Sequence, residues 1–488
     1  MPTAQGFLQS KSTLWVVGAI IFACLLVTNL PWHLNNYDQA KQAFTSLEMV
    51  KEGHWLYQRT PHERIATKPP LVGWVSAAFY GITRSWDFGW RVPSLIAAVA
   101  IAVLLWRAGN FAYGPIAGLV GLSAFGLNLL SPRLATLVRT DMPLALAIFL
   151  IGLQIWKKTR EQASWTSRDR LRTFALLTIG MLIKGPIVYA FLLPGIVIFQ
   201  WWRRGKNVAS AWCGWWPWLA SLAIFLIWVA GGILYVPEFL DQVVVREFIG
   251  RFGETIHRPQ PIYFYLLHIL YRFAPWSLLL IFLAILGFRS ESRDSRAIFR
   301  QMSPELFWLL CWVAGGIIVM SLIPSKRVDR IFPVIPPMCL LLAAAIGRLM
   351  ANDRLRQRGY RLTAAATVLA ILFTGGYSAA KIGSAYRDRD DALAKFGKEV
   401  RKQADAHKWR YEVLMSSDEG LLLYLEKLHF IRFEPAVADW NRGNLDALVA
   451  STKDEARLMR ELPNATLYPL KPEGRLDTSG PGYILITR

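Results

Sequence analysis

Runs of about 17 to 25 apolar residues recur along most of this 488-residue chain, each long enough to cross roughly 30 Å of hydrocarbon. Lipid offers backbone amides no partners, so each run must close its hydrogen bonds within itself, as a helix. About eleven such spans are expected, near 14–32, 91–107, 115–131, 141–157, 172–184, 186–202, 212–235, 265–288, 304–323, 331–349 and 362–380. The apolar stretch at 69–82 is too short to cross and suits a re-entrant or interfacial helix. The first run is long, has no small-residue cleavage site and leads straight into a polar loop, so it reads as a span rather than a signal peptide.

The formal net charge of +21 raises the question of nucleic acid. Position argues against it. Lys157, Lys158, Arg160, Arg168, Arg170 and Arg172, then Arg203, Arg204 and Lys206, then Arg348, Arg354 and Arg356, fall in alternate loops, as cytoplasmic loops do. The long segments 31–90 and 236–264 then lie outside, and an odd span count puts 381–488 outside too. The chain divides on this reading into a membrane domain at 1–380 and a small α/β domain at 381–488. In the latter, 411–415, 429–433 and 483–487 look like strands, and 421–427 and 454–462 look helical. The cysteines at 24, 213, 311 and 339 form no CxxC pair and read as isolated core thiols.

The unusual polar residues gather on the outer side. Asp38 follows the first span. Arg139 and Asp141 open the fourth, and Lys184-Gly185-Pro186 separates two spans with almost no loop. Glu247, Arg251, Glu254 and His257 lie in the second long loop, and Lys326, Arg327, Asp329 and Arg330 between the ninth and tenth spans. Ionisable groups at membrane depth are costly and usually functional. Each alone has a plainer use: lysine and arginine snorkel to lipid phosphates, and Asp141 ahead of Pro143 suits a helix N-terminus. Their convergence from several loops favours an outward-facing cavity for an anionic lipid headgroup, most simply a phosphate. Its carboxylates suit a general base or a divalent metal. No GxxxxGK[ST] sequence occurs, which argues against a nucleotide as direct substrate.

The first-loop Asp38, KPPLVGW at 68–74, RVPS at 91–94, RTDMPLA at 139–145, LIKGP at 182–186, HRPQPIYFY at 257–265, APWS at 274–277 and IPSKRVDRIFPVIPP at 323–337 form an ordered set. This set resembles the polyprenyl-phosphate-sugar-dependent glycosyltransferases of the GT-C superfamily, which contains protein O-mannosyltransferases and lipid A aminoarabinose transferases. The resemblance implies a polytopic α-helical membrane protein of GT-C type with a small extracytoplasmic α/β domain, in the inner membrane of a bacterium. It implies an inverting transfer of sugar from polyprenyl (undecaprenyl) phosphate to lipid A, lipopolysaccharide or protein. Asp38 then matches the first-loop acid, as base or acceptor-orienting group, and Asp141 the acid of the fourth span. Lys68, Arg139, Lys184, Lys326 and Arg330 match cations on the donor-phosphate side, with Arg251 joining that pool by charge. His257 matches a metal-ligating histidine. Two positions depart from the pattern. Gln39 follows Asp38 where many members have a second acid, and Thr67 stands where aminoarabinose transferases carry a metal-ligating acid; Glu63 is the acid four residues earlier. A lipid or small-molecule transporter is the rival class. Against it, the charges sit at the outer mouth and no pair of interrupted helices repeats across two halves.

Overall fold

The computed structural model describes residues 6, 8, 10–249, 259–290, 302–470 and 482–488. The chain forms two compact units: one of residues 1–29 and 67–381, the other of residues 30–66 and 382–488. The first loop thus belongs with the C-terminal residues, a grouping no run of sequence announces.

The larger unit is helical. Its principal helices are α1 (Lys11–Val27), then α2 (Leu71–Thr83), α3 (Val92–Tyr113), α4 (Pro115–Gly126), α5 (Asp141–Glu161), α6 (Ser167–Lys184), α7 (Leu193–Trp202), α8 (Trp216–Tyr235), α9 (Phe264–Arg272), α10 (Trp276–Ser290), α11 (Pro304–Leu322), α12 (Ile335–Ala351) and α13 (Asp353–Arg387). Among the described residues, six helices are long and apolar enough to cross a membrane. The number is up to eight if the sharply bent pairs Ser167–Lys184 with Ile187–Trp202 (116°) and Phe264–Arg272 with Trp276–Ile285 (106°) each count as one. The chain is a multi-pass membrane protein. α4 is buried on every face beyond Pro115, the mark of a helix encased by others. α8 instead turns Leu219, Leu226, Ile227 and Leu234 outward, the surface lipid requires. Helices approach closely where side chains vanish. A methyl group at Gly315 would lie 2.5 Å from the Gly195 nitrogen, and one at Gly152 would overlap the Trp312 ring, so α11 packs tightly on α7 and α5.

The smaller unit joins α14 (Tyr37–Glu52), α15 (Ala392–His407), α16 (Glu419–Leu425), α17 (Phe433–Asn441) and α18 (Glu455–Glu461) to a four-stranded sheet. The strands are β1 (Tyr411–Val413), β2 (Ala447–Ser451), β3 (Thr466–Leu467) and β4 (Tyr483–Thr487), in the order β1-β2-β4-β3. β1 runs parallel to β2; the other pairs are antiparallel. Leu414, Trp440, Leu448, Leu458 and Ile486 build its core. The strand expected at 429–433 is corrected: only an isolated bridge joins Ile431 to Leu414, and Phe433 opens α17. Pro435 explains this, since proline is tolerated in a helix's first turn but interrupts a sheet ladder. Residues 30–36 lie along α16: the Leu34 amide donates to the Tyr424 hydroxyl at 2.7 Å, and a Cβ at Gly420 would meet the Leu34 carbonyl at 2.7 Å.

Candidate functional site: a cation-rich cluster at the helix ends

Three short motifs of the larger unit build one polar cluster. In the first, Ser94 near the start of α3 donates to the carbonyls of Leu137 (2.8 Å) and Arg139 (3.2 Å), pinning the loop that leads into α5. Arg139 and Asp141 therefore emerge from a fixed backbone. In the second, Gly185 follows α6 with φ +76°, a conformation that side chains resist, and the chain reverses at once. That reversal leaves Lys184 at the helix end. In the third, a 3₁₀ turn at Val328–Val334 packs against α5 and carries Asp329.

Two buried ion pairs result. The Lys184 ammonium lies 2.5 Å from an Asp141 oxygen, and the Arg139 guanidinium 2.6 Å from an Asp329 oxygen. Arg133 reaches the other Asp329 oxygen at 3.9 Å. Lys68 and Arg139 also lie near enough to act electrostatically on Asp141. Lys326, 6 % exposed, donates to the Gln260 carbonyl at 2.9 Å, while the Gln260 amide donates to the Pro324 carbonyl. Burial holds the Lys326 ammonium below the usual lysine range. Arg330 donates to the Ser325 carbonyl at 2.7 Å. Cations outnumber carboxylates in this cluster, and ion pairs that survive burial need such tight geometry. The excess positive charge, on groups already held in place, can receive an oxyanion.

The expected cations Lys68, Arg139, Lys184, Lys326 and Arg330, with the acid Asp141, all fall in this unit. Arg251 and His257 lie outside the described residues. Asp38 belongs to the smaller unit, half-buried in the first turn of α14, its amide donating to the Asn36 side chain at 3.1 Å. Glu63, exposed and with φ 58°, sits in the turn between Arg59 and Ile65. Sequence reading did not single out Asp329 as the carboxylate that holds Arg139, nor Gln260 and Ser94. Nothing in spacing links residue 139 to residue 329. A further Glu–Glu–His grouping, at Glu48, Glu52 and His54, occurs in the smaller unit.

The profile of the dolichyl-phosphate-mannose-protein mannosyltransferase family matches residues 67–235. The undecaprenyl phosphate-alpha-4-amino-4-deoxy-L-arabinose arabinosyl transferase 2 of Proteus mirabilis is 27% identical over 381 residues, 73% of this chain and 65% of that protein. The corresponding enzyme of Edwardsiella ictaluri is 24% identical over 70% of this chain and 60% of its own length. The chain thus matches somewhat under two thirds of the length of these relatives. Among solved structures, ArnT from Cupriavidus metallidurans, bound to undecaprenyl phosphate, superimposes with a TM-score of 0.72 at 17% identity, covering 98% of both chains. The oligosaccharyltransferase of Archaeoglobus fulgidus gives 0.53 at 10% identity, over 92% of this chain and 69% of that one. The chain therefore has an ArnT-like fold, and its residues 67–235 are similar to the mannosyltransferase family.

Proposed function

We propose that this protein is an inverting glycosyltransferase that moves a sugar from a polyprenyl phosphate, undecaprenyl phosphate in a bacterial inner membrane, to lipid A or a related acceptor on the outer face. The observation that carries the reading is the cluster of Lys184, Arg139 and Lys326, locked by Asp141, Asp329 and the Gln260 carbonyl at the ends of membrane helices. The acceptor oxygen attacks the anomeric carbon, the bond to the donor phosphate oxygen breaks, and negative charge grows on the departing polyprenyl phosphate. Cations fixed beforehand stabilise that charge without reorganising, worth about 3–4 kcal/mol per key contact. Asp141 and Asp329 act here as positioning residues, each holding one cation on line. Arg251 and Lys68 complete the donor-phosphate pool. A role for Asp38 as the base that takes a hydroxyl proton rests on the sequence resemblance, as does a metal at His257; Glu63 joins that metal only as the acid four residues before Thr67. The names of the relatives support an undecaprenyl-phosphate-linked aminosugar as donor, while lipid A as acceptor rests on the sequence resemblance.

The test is reconstitution. Purified protein in nanodiscs, given an undecaprenyl-phosphate-linked aminosugar and lipid A, should release undecaprenyl phosphate and yield sugar-bearing lipid A by mass spectrometry. Donor turnover with a peptide acceptor alone would move the reading to protein glycosylation. Transmembrane movement of an intact lipid without cleavage would support the transporter instead.

A further inference from the structure

Four ligand-type side chains from two places in the sequence meet in the smaller unit. Glu48 and Glu52 lie one turn apart on α14, on the same face. Gly53 ends the helix in the left-handed region (φ +75°), and His54 folds back over the last turn. His54 Nδ1 then lies 3.0 Å from a Glu48 oxygen and 3.4 Å from a Glu52 oxygen. The ligand atoms of these three residues all lie within 4.8 Å of one another. From the C-terminal part of the chain, His429 Nε2 reaches the other Glu52 oxygen at 2.8 Å.

Two features mark this as more than a solvated charge run. Glu48 is only 3 % exposed, yet its carboxylate faces another at helical i,i+4 spacing, an arrangement that like charges disfavour. Burying such a carboxylate is costly unless a cation meets it. The set is also held from behind. The Arg59 amide donates to Glu48 Oε2 at 2.5 Å, and the buried Gln58 side chain donates to the His54 carbonyl at 2.8 Å. Outer hydrogen bonds of this kind orient the ligands of metal centres.

We propose that Glu48, Glu52, His54 and His429 form a divalent transition-metal site, with zinc the ion best suited to two carboxylate oxygens and two imidazole nitrogens. Ligand atoms about 2.0–2.2 Å from one ion fall a little over 3 Å apart, close to the separations of His54 from Glu48 and Glu52; His429, already against Glu52, would turn in to complete the set. The ion would replace the repulsion between Glu48 and Glu52 with attraction. It would also fasten residues 30–66 to residues 382–488, since His429 is the ligand supplied from the second segment. The proposed site uses neither His257 nor Glu63, and its role is structural.

Purified full-length protein in detergent, stripped by a chelator and dialysed against zinc chloride, tests it by metal content per chain and by thermal unfolding. The wild type should retain one zinc and melt at a higher temperature with it. Glu52→Gln and His429→Ala, both at partly exposed positions, should fold, bind zinc at least about tenfold more weakly and lose the zinc-dependent rise. His257→Ala should retain the zinc. Absence of bound zinc in the wild type, unchanged binding in the Glu52 and His429 variants, or loss of all zinc in His257→Ala would each overturn the proposal. None of these readouts depends on sugar transfer.

Discussion

Lys184 ends α6 with its ammonium 2.5 Å from the buried carboxylate of Asp141, so two jobs are mixed in one contact. One is structural: deleting either partner of a buried pair strands a charge and costs about 3–5 kcal/mol. The other, on the proposed function, is chemical: the ammonium would meet the donor phosphate. Lys184→Ala should lower transfer about 10²–10³-fold and also depress the melting temperature. The double variant Lys184→Ala/Asp141→Asn separates the two, because no charge is left stranded. It should recover most of the thermal stability and none of the turnover, measured in the same nanodiscs. Recovery of turnover would reduce Lys184 to a packing residue. Asp38 makes a second residue-scale prediction. Asn keeps its size but cannot take a proton, so Asp38→Asn should bind donor normally and lose at least about 10²-fold in transfer to a hydroxyl acceptor. The loss should be smaller for an acceptor that is already a phosphate, and wild-type rates for both would remove Asp38 from the chemistry. The identities of these residues were legible in the sequence, because a charge beside an apolar run stands out. Their pairings were not. Asp329 holds Arg139 across 190 positions, and only folding through α5 and the 3₁₀ turn makes them neighbours.

At the scale of elements, helix existence followed from apolar length, while bends and contacts followed from glycine and proline in ways that hydropathy hides. The Lys184-Gly185-Pro186 step was visible as a missing loop, and the structure turns it into a 116° reversal. β2 escaped notice because Ala447–Ala450 is buried on both faces and shows no alternation. The tight crossing of α5 and α11 is equally silent in the sequence. There Gly152 lies under the Trp312 ring, and the Trp308 indole donates to the Gly152 carbonyl at 3.0 Å. Gly152→Ala should therefore destabilise the protein by about 1–3 kcal/mol, as overpacking does, seen as a lower melting temperature in detergent. Gly376→Ala, where a methyl group meets nothing within 4 Å, should be neutral or slightly stabilising, since alanine is the better helix former. Equal melting of the two variants would mean that the α5–α11 crossing tolerates separation.

For the whole molecule, the distribution of cations makes the last prediction. Arg203, Arg204 and Lys206 follow α7, and Lys157, Lys158, Arg160, Arg168, Arg170 and Arg172 surround the turn between α5 and α6. Clusters this dense resist translocation, so both turns should face the cytoplasm. α5 and α6 lead away from that turn, and their far ends carry Asp141 and Lys184, which then face the opposite side, where the proposed reaction needs its lipid-linked sugar. The helix α13 runs 35 residues from a basic start at Arg354, Arg356, Arg358 and Arg361 toward Lys381 and Arg387. That is long enough to cross and continue into water at either end, at about 1.5 Å per residue. Its basic first turns should stay inside, which carries residues 382–488 out. Reporter fusions decide this: a phosphatase, active only outside, and a fluorescent protein that matures only inside, each joined after residue 205 and after residue 488. The fusion at 205 should fluoresce without phosphatase activity, and the one at 488 should do the reverse. Like signals from both would place the Lys184 cluster and the C-terminal residues on a different footing, and a transfer reaction drawing on a first-loop acid such as Asp38 would then lack the sidedness it requires.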